Sequence, residues 1–246
     1  MRDALSSLRV LLKWHYLVRR RDIVEVLVLQ SLVSVGVVLG FGFIAGPIDT
    51  DRALYVVTGA ATLNVIMGGL VSVPQNVAAA KQNGTFDYLL ALPVPRINLL
   101  LAQLLDTMTT VLPGVAMALI AGTLRYGFVL RPSFLVIPAI ALVALTGAAV
   151  GYTLAAVSSS PELTQLLTQV IIFALFLFSP IAFPADRLPD PVAWLHTVLP
   201  VRHMADAVRG ALTGVGGHNI AGSLAILLAW CAPTVGLSHI AISRRR

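Results

Sequence analysis

Between its polar breaks the sequence holds six apolar runs, Val24–Ala45, Ala53–Val73, Leu99–Ala121, Phe134–Val157, Leu163–Phe183 and Ile220–Ile242. Each approaches or exceeds the roughly 20 residues that a helix needs to cross about 30 Å of hydrocarbon. The runs are continuous and lack the alternation of a membrane-spanning strand, which excludes a β-barrel. Composition excludes a water-soluble globule: 57% of the 246 residues are hydrophobic and 11% charged, against about 45–50% and about 25% in soluble domains. The fold class that follows is an all-α polytopic membrane protein, with residues 1–246 forming a single transmembrane domain of six helices.

Residues 4–21 precede the first span and set Leu5, Leu8, Leu12 and Trp14 against Arg9, Lys13 and the Arg19-Arg20-Arg21 cluster, the pattern of an interfacial helix. The run after Arg21 is longer than a signal-peptide core, and Phe43-Ile44-Ala45 is a poor cleavage site, so the whole chain is expected in the mature protein. The formal charge of +6 sits beside the apolar runs and forms no aromatic-interleaved stripe, which argues against a nucleic-acid partner and for the lipid bilayer. Threading six spans with the N-terminus inside puts eleven Lys and Arg residues inside and six outside. Both termini are then expected in the cytoplasm of a multi-pass protein of the cell membrane. The single cysteine, Cys231, cannot form an internal disulfide, and neither it nor the histidines make a metal site.

Two connections are more than spacers. On the inner side, Asn83-Gly84 reads as a helix stop, so the second span is expected to run on to about Gln82. Thr85 is expected to cap a short helix over 85–92 with Asp87 in its first turn, ended by Pro93 and Pro95. Phe86, Leu89 and Leu90 share one face of it. Such a helix has two possible partners, the membrane surface with its own chain, or another protein. On the outer side, residues 184–217 are too apolar for a solvated loop and too broken for a span. Two short helices, Val192–Leu199 and Val201–Leu212, are expected there, as a re-entrant segment or an interfacial hairpin.

Among polar residues within spans, Asp106 is the one acidic side chain well inside a run, with Gln103 and Thr109 as nearby partners; a structural role and a role in proton or substrate handling are both open. Gly36, Gly40 and Gly42 in the first span, and Gly147 with Gly151 in the fourth, make small-residue patterns that permit close helix packing. The turn Ser158-Ser159-Ser160-Pro161-Glu162 reads as a firm helix start, with Pro161 in the first position and Glu162 facing the helix dipole. No cluster of catalytic groups converges anywhere, and no G-x-x-x-x-G-K-[ST] phosphate loop occurs. The chain is therefore expected to have no catalytic, cofactor-binding or metal site of its own.

The run Lys81-Gln82-Asn83-Gly84-Thr85-Phe86-Asp87-Tyr88-Leu89-Leu90-Ala91-Leu92-Pro93-Val94, with Leu199-Pro200 and Arg209 before the last span, resembles the membrane subunit of type-2 ABC exporters. That permease family includes daunorubicin-resistance-like drug exporters and polysaccharide and lipid exporters. Phe86-Asp87 stands where many members carry a Leu-Glu pair. The resemblance implies that 85–92 is a coupling helix (Thr85, Phe86, Asp87, Leu89, Leu90) inserting into a separate cytoplasmic ABC ATPase dimer, which would bind ATP and Mg²⁺. Ser160, Pro161 and Glu162 would form a second, smaller contact, and a second permease copy or paralogue would complete the transporter. By the same resemblance, Asn64, Met67, Thr168, Phe173, Phe176 and Phe178 on the second and fifth spans would line the substrate pathway. The function implied is ATP-driven export of an amphipathic drug or lipid-like substrate by alternating access. Against it stand an ATP-independent channel or secondary carrier, which would show inverted repeats and paired intramembrane charges, and, more remotely, a polytopic enzyme.

Overall fold

A computed structural model of the chain describes residues 2–45, 49–181, 189–214 and 219–243, and among these every regular element is helical. Six helices are long and apolar enough to cross a membrane. The amphipathic α1 (Arg2–Arg19) precedes the first of them, α2 (Ile23–Ala45). The second span is built from three pieces, α3 (Thr50–Ile66), a π-helical turn (Met67–Ser72) and α4 (Val73–Gln82), and is the most enclosed of the six. The short α5 (Thr85–Ala91) leads into α6 (Arg96–Tyr126), and then follow α7 (Val136–Val157) and α8 (Pro161–Phe178). A helical hairpin, α9 (Asp190–Val198) and α10 (Pro200–Thr213), precedes α11 (Ile220–Ser243). Residues 184–188 and 215–217 of the expected outer segment, and 182–183 of the expected fifth span, lie outside the described residues.

The π turn has a local cause. Pro74 lacks an N–H, and its ring would strike the carbonyl four residues earlier in a regular helix. Widening the preceding turn, where Val73 N–H donates to the Gly68 carbonyl, removes that conflict. Gly69 of this turn then meets α7 backbone to backbone, while Gly68 lies against Val111 and Thr107 of α6. A Cβ on Gly69 would lie 2.7 Å from the Gly147 carbonyl carbon, and one on Gly151 would lie 2.5 Å from the Gly69 carbonyl oxygen. Gly147 and Gly151 thus serve as the packing surface their spacing suggests. Gly36 and Gly40 do not: a Cβ on either would meet nothing within 4 Å, because this side of α2 faces away from the rest of the chain.

Around the second span, α6 and α7 supply most of the core, with Val57, Val65, Ile66, Val111 and Val143 fully enclosed. Polar side chains pin neighbouring helices. Tyr126 donates to the Val38 carbonyl (3.1 Å), Ser238 of α11 to the Ala149 carbonyl of α7 (2.9 Å), and Trp230 Nε1 of α11 to the Val198 carbonyl of α9 (2.9 Å). The helix α10 is packed against α3, α7 and α11, and the connection before α7 is tied to its end by Ser133 N–H and Arg131 N–H donating to Ala211 and Leu212 carbonyls. α8 is among the less embedded spans: Thr164, Thr168 and Leu175 are buried, and Leu166, Val170, Phe173 and Leu177 face outward.

Candidate functional site

Residues 83–85 carry the chain from the second span into α5. Gly84 takes the cap position with φ of 74°, a left-handed conformation that glycine adopts without steric cost, and Asn83 Oδ1 accepts from Thr85 N–H (3.1 Å). The expectation that Thr85 caps the helix is therefore corrected. Asn83-Gly84 closes α4 and opens α5 in one turn, and Asn83 supplies the capping oxygen. The helix ends one residue earlier than expected, at Ala91, as Leu92 turns extended before Pro93.

The apolar face of α5 is turned into its own chain. Phe86 is 4% exposed and packs with Val77, Leu100 and Tyr152, its ring 6.3 Å from that of Tyr152 and the Lys81 ammonium 5.8 Å from its centre. Leu89 and Leu90 pack against the cluster formed by Leu99 and Ala102 of α6 and Leu11 of α1. Phe86, Leu89 and Leu90 therefore hold α5 in place, and the surface that α5 leaves open is Asp87, Tyr88 and Ala91, with Tyr88 64% exposed. Tyr88 lies opposite the apolar stripe of Phe86, Leu89 and Leu90.

The 158–162 turn lies beside this platform. Lys81 Nζ donates to the Ala155 carbonyl at the end of α7, and Gln82 Nε2 approaches Glu162 Oε1 at 3.5 Å. Ser160 accepts from Leu163 N–H (3.2 Å) and so caps α8, with Pro161 first in the helix and Glu162 in its first turn. The two segments singled out from the sequence, 85–92 and 160–162, are thus brought to one end of the bundle through α4.

Asp106 is buried (7% exposed) at this same end, and its carboxylate does not use Gln103 or Thr109. Arg19 of α1 reaches Oδ2 at 2.8 Å and His15 Nδ1 lies 3.7 Å away. Thr109 donates instead to the Asp106 main-chain carbonyl (2.7 Å). Burial pushes the His15 imidazole below the usual histidine range against the pull of Asp106, and Arg19 lowers it further, so the ion pair is between Asp106 and Arg19. His15 and Arg19 are four apart on one face of α1, a spacing visible in the sequence that does not by itself point to Asp106.

The six residues expected along a pathway fall into two groups. Asn64 is buried, donating to Ser34 Oγ and to the Gln30 carbonyl (3.4 Å) of α2, with Gly114 of α6 against it; Thr168 is buried and donates to the Thr164 carbonyl (2.6 Å); Met67 is half-buried at the start of the π turn. Phe173, Phe176 and Phe178 are exposed on α8. At the far end, Arg209 of α10 is 3% exposed and bonded on every side. It donates to Thr58 Oγ1 (3.2 Å), Asp206 Oδ1 (3.0 Å) and the Ile181 carbonyl (2.7 Å), and it stacks 3.4 Å above the Tyr55 ring. No group of three or more potential metal ligands occurs among the described residues.

Six helices long and apolar enough to span a membrane, with a short helix and a capped turn held together at one end, define a multi-pass membrane protein. Residues 6–213 match the family described as ABC-2 type transporter, and the chain belongs to that family as its membrane-spanning permease component. No curated protein matches the chain.

Proposed function

We propose that this permease works in an ATP-driven exporter, moving an amphipathic drug or lipid-like molecule outward by alternating access while a separate cytoplasmic ABC ATPase dimer, binding ATP and Mg²⁺, supplies the force. A second permease copy or paralogue completes the pathway, and both termini lie on the ATPase side. The observation that carries this reading is the platform at one end of the bundle. α5 is wedged by Phe86 against Tyr152 of α7, and the α8 start touches α4 at Gln82 and Glu162. A displacement of α5 is therefore delivered to α4, α6 and α7 together, since close-packed interiors transmit strain instead of absorbing it. Asp87, Tyr88 and Ala91 are the part of α5 open to a partner, and Phe173, Phe176 and Phe178 give α8 an apolar surface suited to hydrophobic cargo or to a second permease.

The experiment is purification of the detergent-solubilised complex from its native membrane, comparing wild type with Tyr88→Ala and Asp87→Lys. A copurifying protein with a phosphate-binding loop and vanadate-sensitive hydrolysis is expected with wild type and is expected to fall at least tenfold with the double variant, while permease melting is unchanged. Transport or conductance by the permease alone, with no such partner, would replace this reading by a channel or secondary carrier.

A further inference from the structure

α9 fully buries no apolar side chain. Trp194, Leu195 and Val198 are exposed, and the one buried residue of the helix is a titratable one, His196, at 6% exposed. Its imidazole donates to the Phe178 carbonyl at the end of α8, and its Nδ1 is enclosed with no hydrogen-bond partner. A ring that donates from Nε2 and is neutral carries no proton on Nδ1. The other bonds that tie α9 to its neighbours fall on main-chain carbonyls: Val198 accepts from Trp230 Nε1 (2.9 Å), and the Thr197 carbonyl lies 2.9 Å from His203 Nε2. A helix seated by so little apolar area depends on the state of the one side chain it turns inward.

We propose that His196 is an acid-sensitive latch: its neutral imidazole seats α9 against the end of α8, and its protonation releases α9. Protonation puts a charged Nδ1–H where no acceptor lies, in an enclosed site near the Arg202 guanidinium. Burial, against the bond to Phe178 and helped by Arg202, holds the ring below the usual histidine range. In released α9 the ring returns to its ordinary value of 6.5, so seating is strongest above that pH and weakens as pH falls below it. Among the described residues, the charged and titratable groups around the site come from α10 and from α9 itself. Arg202 and Asp206 of α10 are paired at 3.6 Å, Asp206 is also held by Arg209, and His203 sits at the Thr197 carbonyl; α9 adds Asp190, exposed in its first turn. α8 carries its one charge, Glu162, in its first turn at the opposite end, and α11 has no charged side chain from Ile220 to Ser238. Asp206, the one carboxylate on α10, is thus committed to two arginines. The latch belongs to this chain alone and stands or falls independently of the ATPase partner.

Hydrogen exchange of the full-length protein in phosphatidylcholine nanodiscs reads the latch, with rates over α9 corrected for the intrinsic pH dependence of amide exchange. Between about pH 7.5 and about pH 5, protection of α9 is expected to fall at least roughly threefold in wild type while that of α10 holds. His196→Gln places an uncharged amide where Nε2 donates to the Phe178 carbonyl, and is expected to give α9 the same protection at both pH values. His203→Gln, which removes the other histidine of the hairpin, is expected to keep the wild-type fall. Should His196→Gln fail to fold, Arg202→Gln serves instead: losing the nearby cation makes protonation of the seated ring less costly, so the fall is expected to be shallower. Protection of α9 that is independent of pH in wild type would overturn the proposal. So would a fall that survives His196→Gln, disappears with His203→Gln, is undiminished by Arg202→Gln, or extends equally to α10 as general acid unfolding.

Discussion

The bundle buries two charges of opposite sign near its two ends, and they are held in different ways. Arg209 is bonded to three elements at once: its own α10 through Asp206, α3 through Thr58 and the Tyr55 ring, and the segment after α8 through the Ile181 carbonyl. Asp106 is neutralised from α1 only, by Arg19 with His15 beside it, and next to it lie a cavity and the unpartnered Gln103 amide. A guanidinium that donates from all three of its nitrogens to three different elements fixes the relative positions of the helices around it. A carboxylate paired with a single peripheral helix fixes only that helix. The α10 end is therefore built as a brace, and the α5 end as a joint with room in it.

The strongest way to break this comparison is at the brace. Arg209→Ala leaves Asp206 without its closest cation and Thr58 and the Ile181 carbonyl without a donor, and is expected to cost about 3–5 kcal/mol, the usual penalty for breaking a buried pair. Arg209→Lys is expected to recover less than half, because an ammonium neither stacks on Tyr55 nor spans three acceptors. Thermal melting of the purified protein reads both, and a melting curve for Arg209→Ala within error of wild type would remove the brace. At the joint the effect is smaller and local. A double-mutant cycle on Asp106→Asn and Arg19→Gln is expected to give a coupling of about 0.5–3 kcal/mol, together with faster tryptic cleavage after Arg20 and Arg21 as α1 lifts. A coupling near zero, with cleavage unchanged, would mean that α1 is held by Leu11 and its apolar neighbours alone.

Much of this arrangement is legible in the sequence, and what is not has identifiable physical reasons. The six spans are visible because the bilayer imposes one length and one polarity on each, and the α8 start is visible because Ser160-Pro161-Glu162 is local capping chemistry. The cap of α5 is misread because two adjacent candidates compete, and Gly84 wins by its access to positive φ, leaving Asn83 to supply the oxygen. Periodicity places Phe86, Leu89 and Leu90 on one face but carries no sign of which way the face points; the Tyr152 ring 66 residues on decides it. The same holds for Asp106, whose partner is 87 residues away on α1, and for the π turn, where Pro74 is visible but the Gly69–Gly147 contact that fills the widened turn is tertiary.

The smallest expected effect tests whether the region between the two ends is finished within one chain. Gly69 and Gly40 are both helical glycines in spans, yet one is pressed onto the α7 backbone and the other has open space where its side chain would be. Within a single protomer, Gly40→Ala therefore meets no clash and gains helix propensity, so stability is expected to rise by about 0.4–1 kcal/mol, as at other compatible sites. Melting of the monomer in excess detergent measures this directly. A loss instead of a gain would place another helix against α2 even in the monomer. A gain in the monomer combined with a loss of dimer at low detergent would show that the open glycine face of α2 is matched by a second permease, and that the protomer's small-residue patterns divide between internal packing at Gly69, Gly147 and Gly151 and external packing at Gly36 and Gly40.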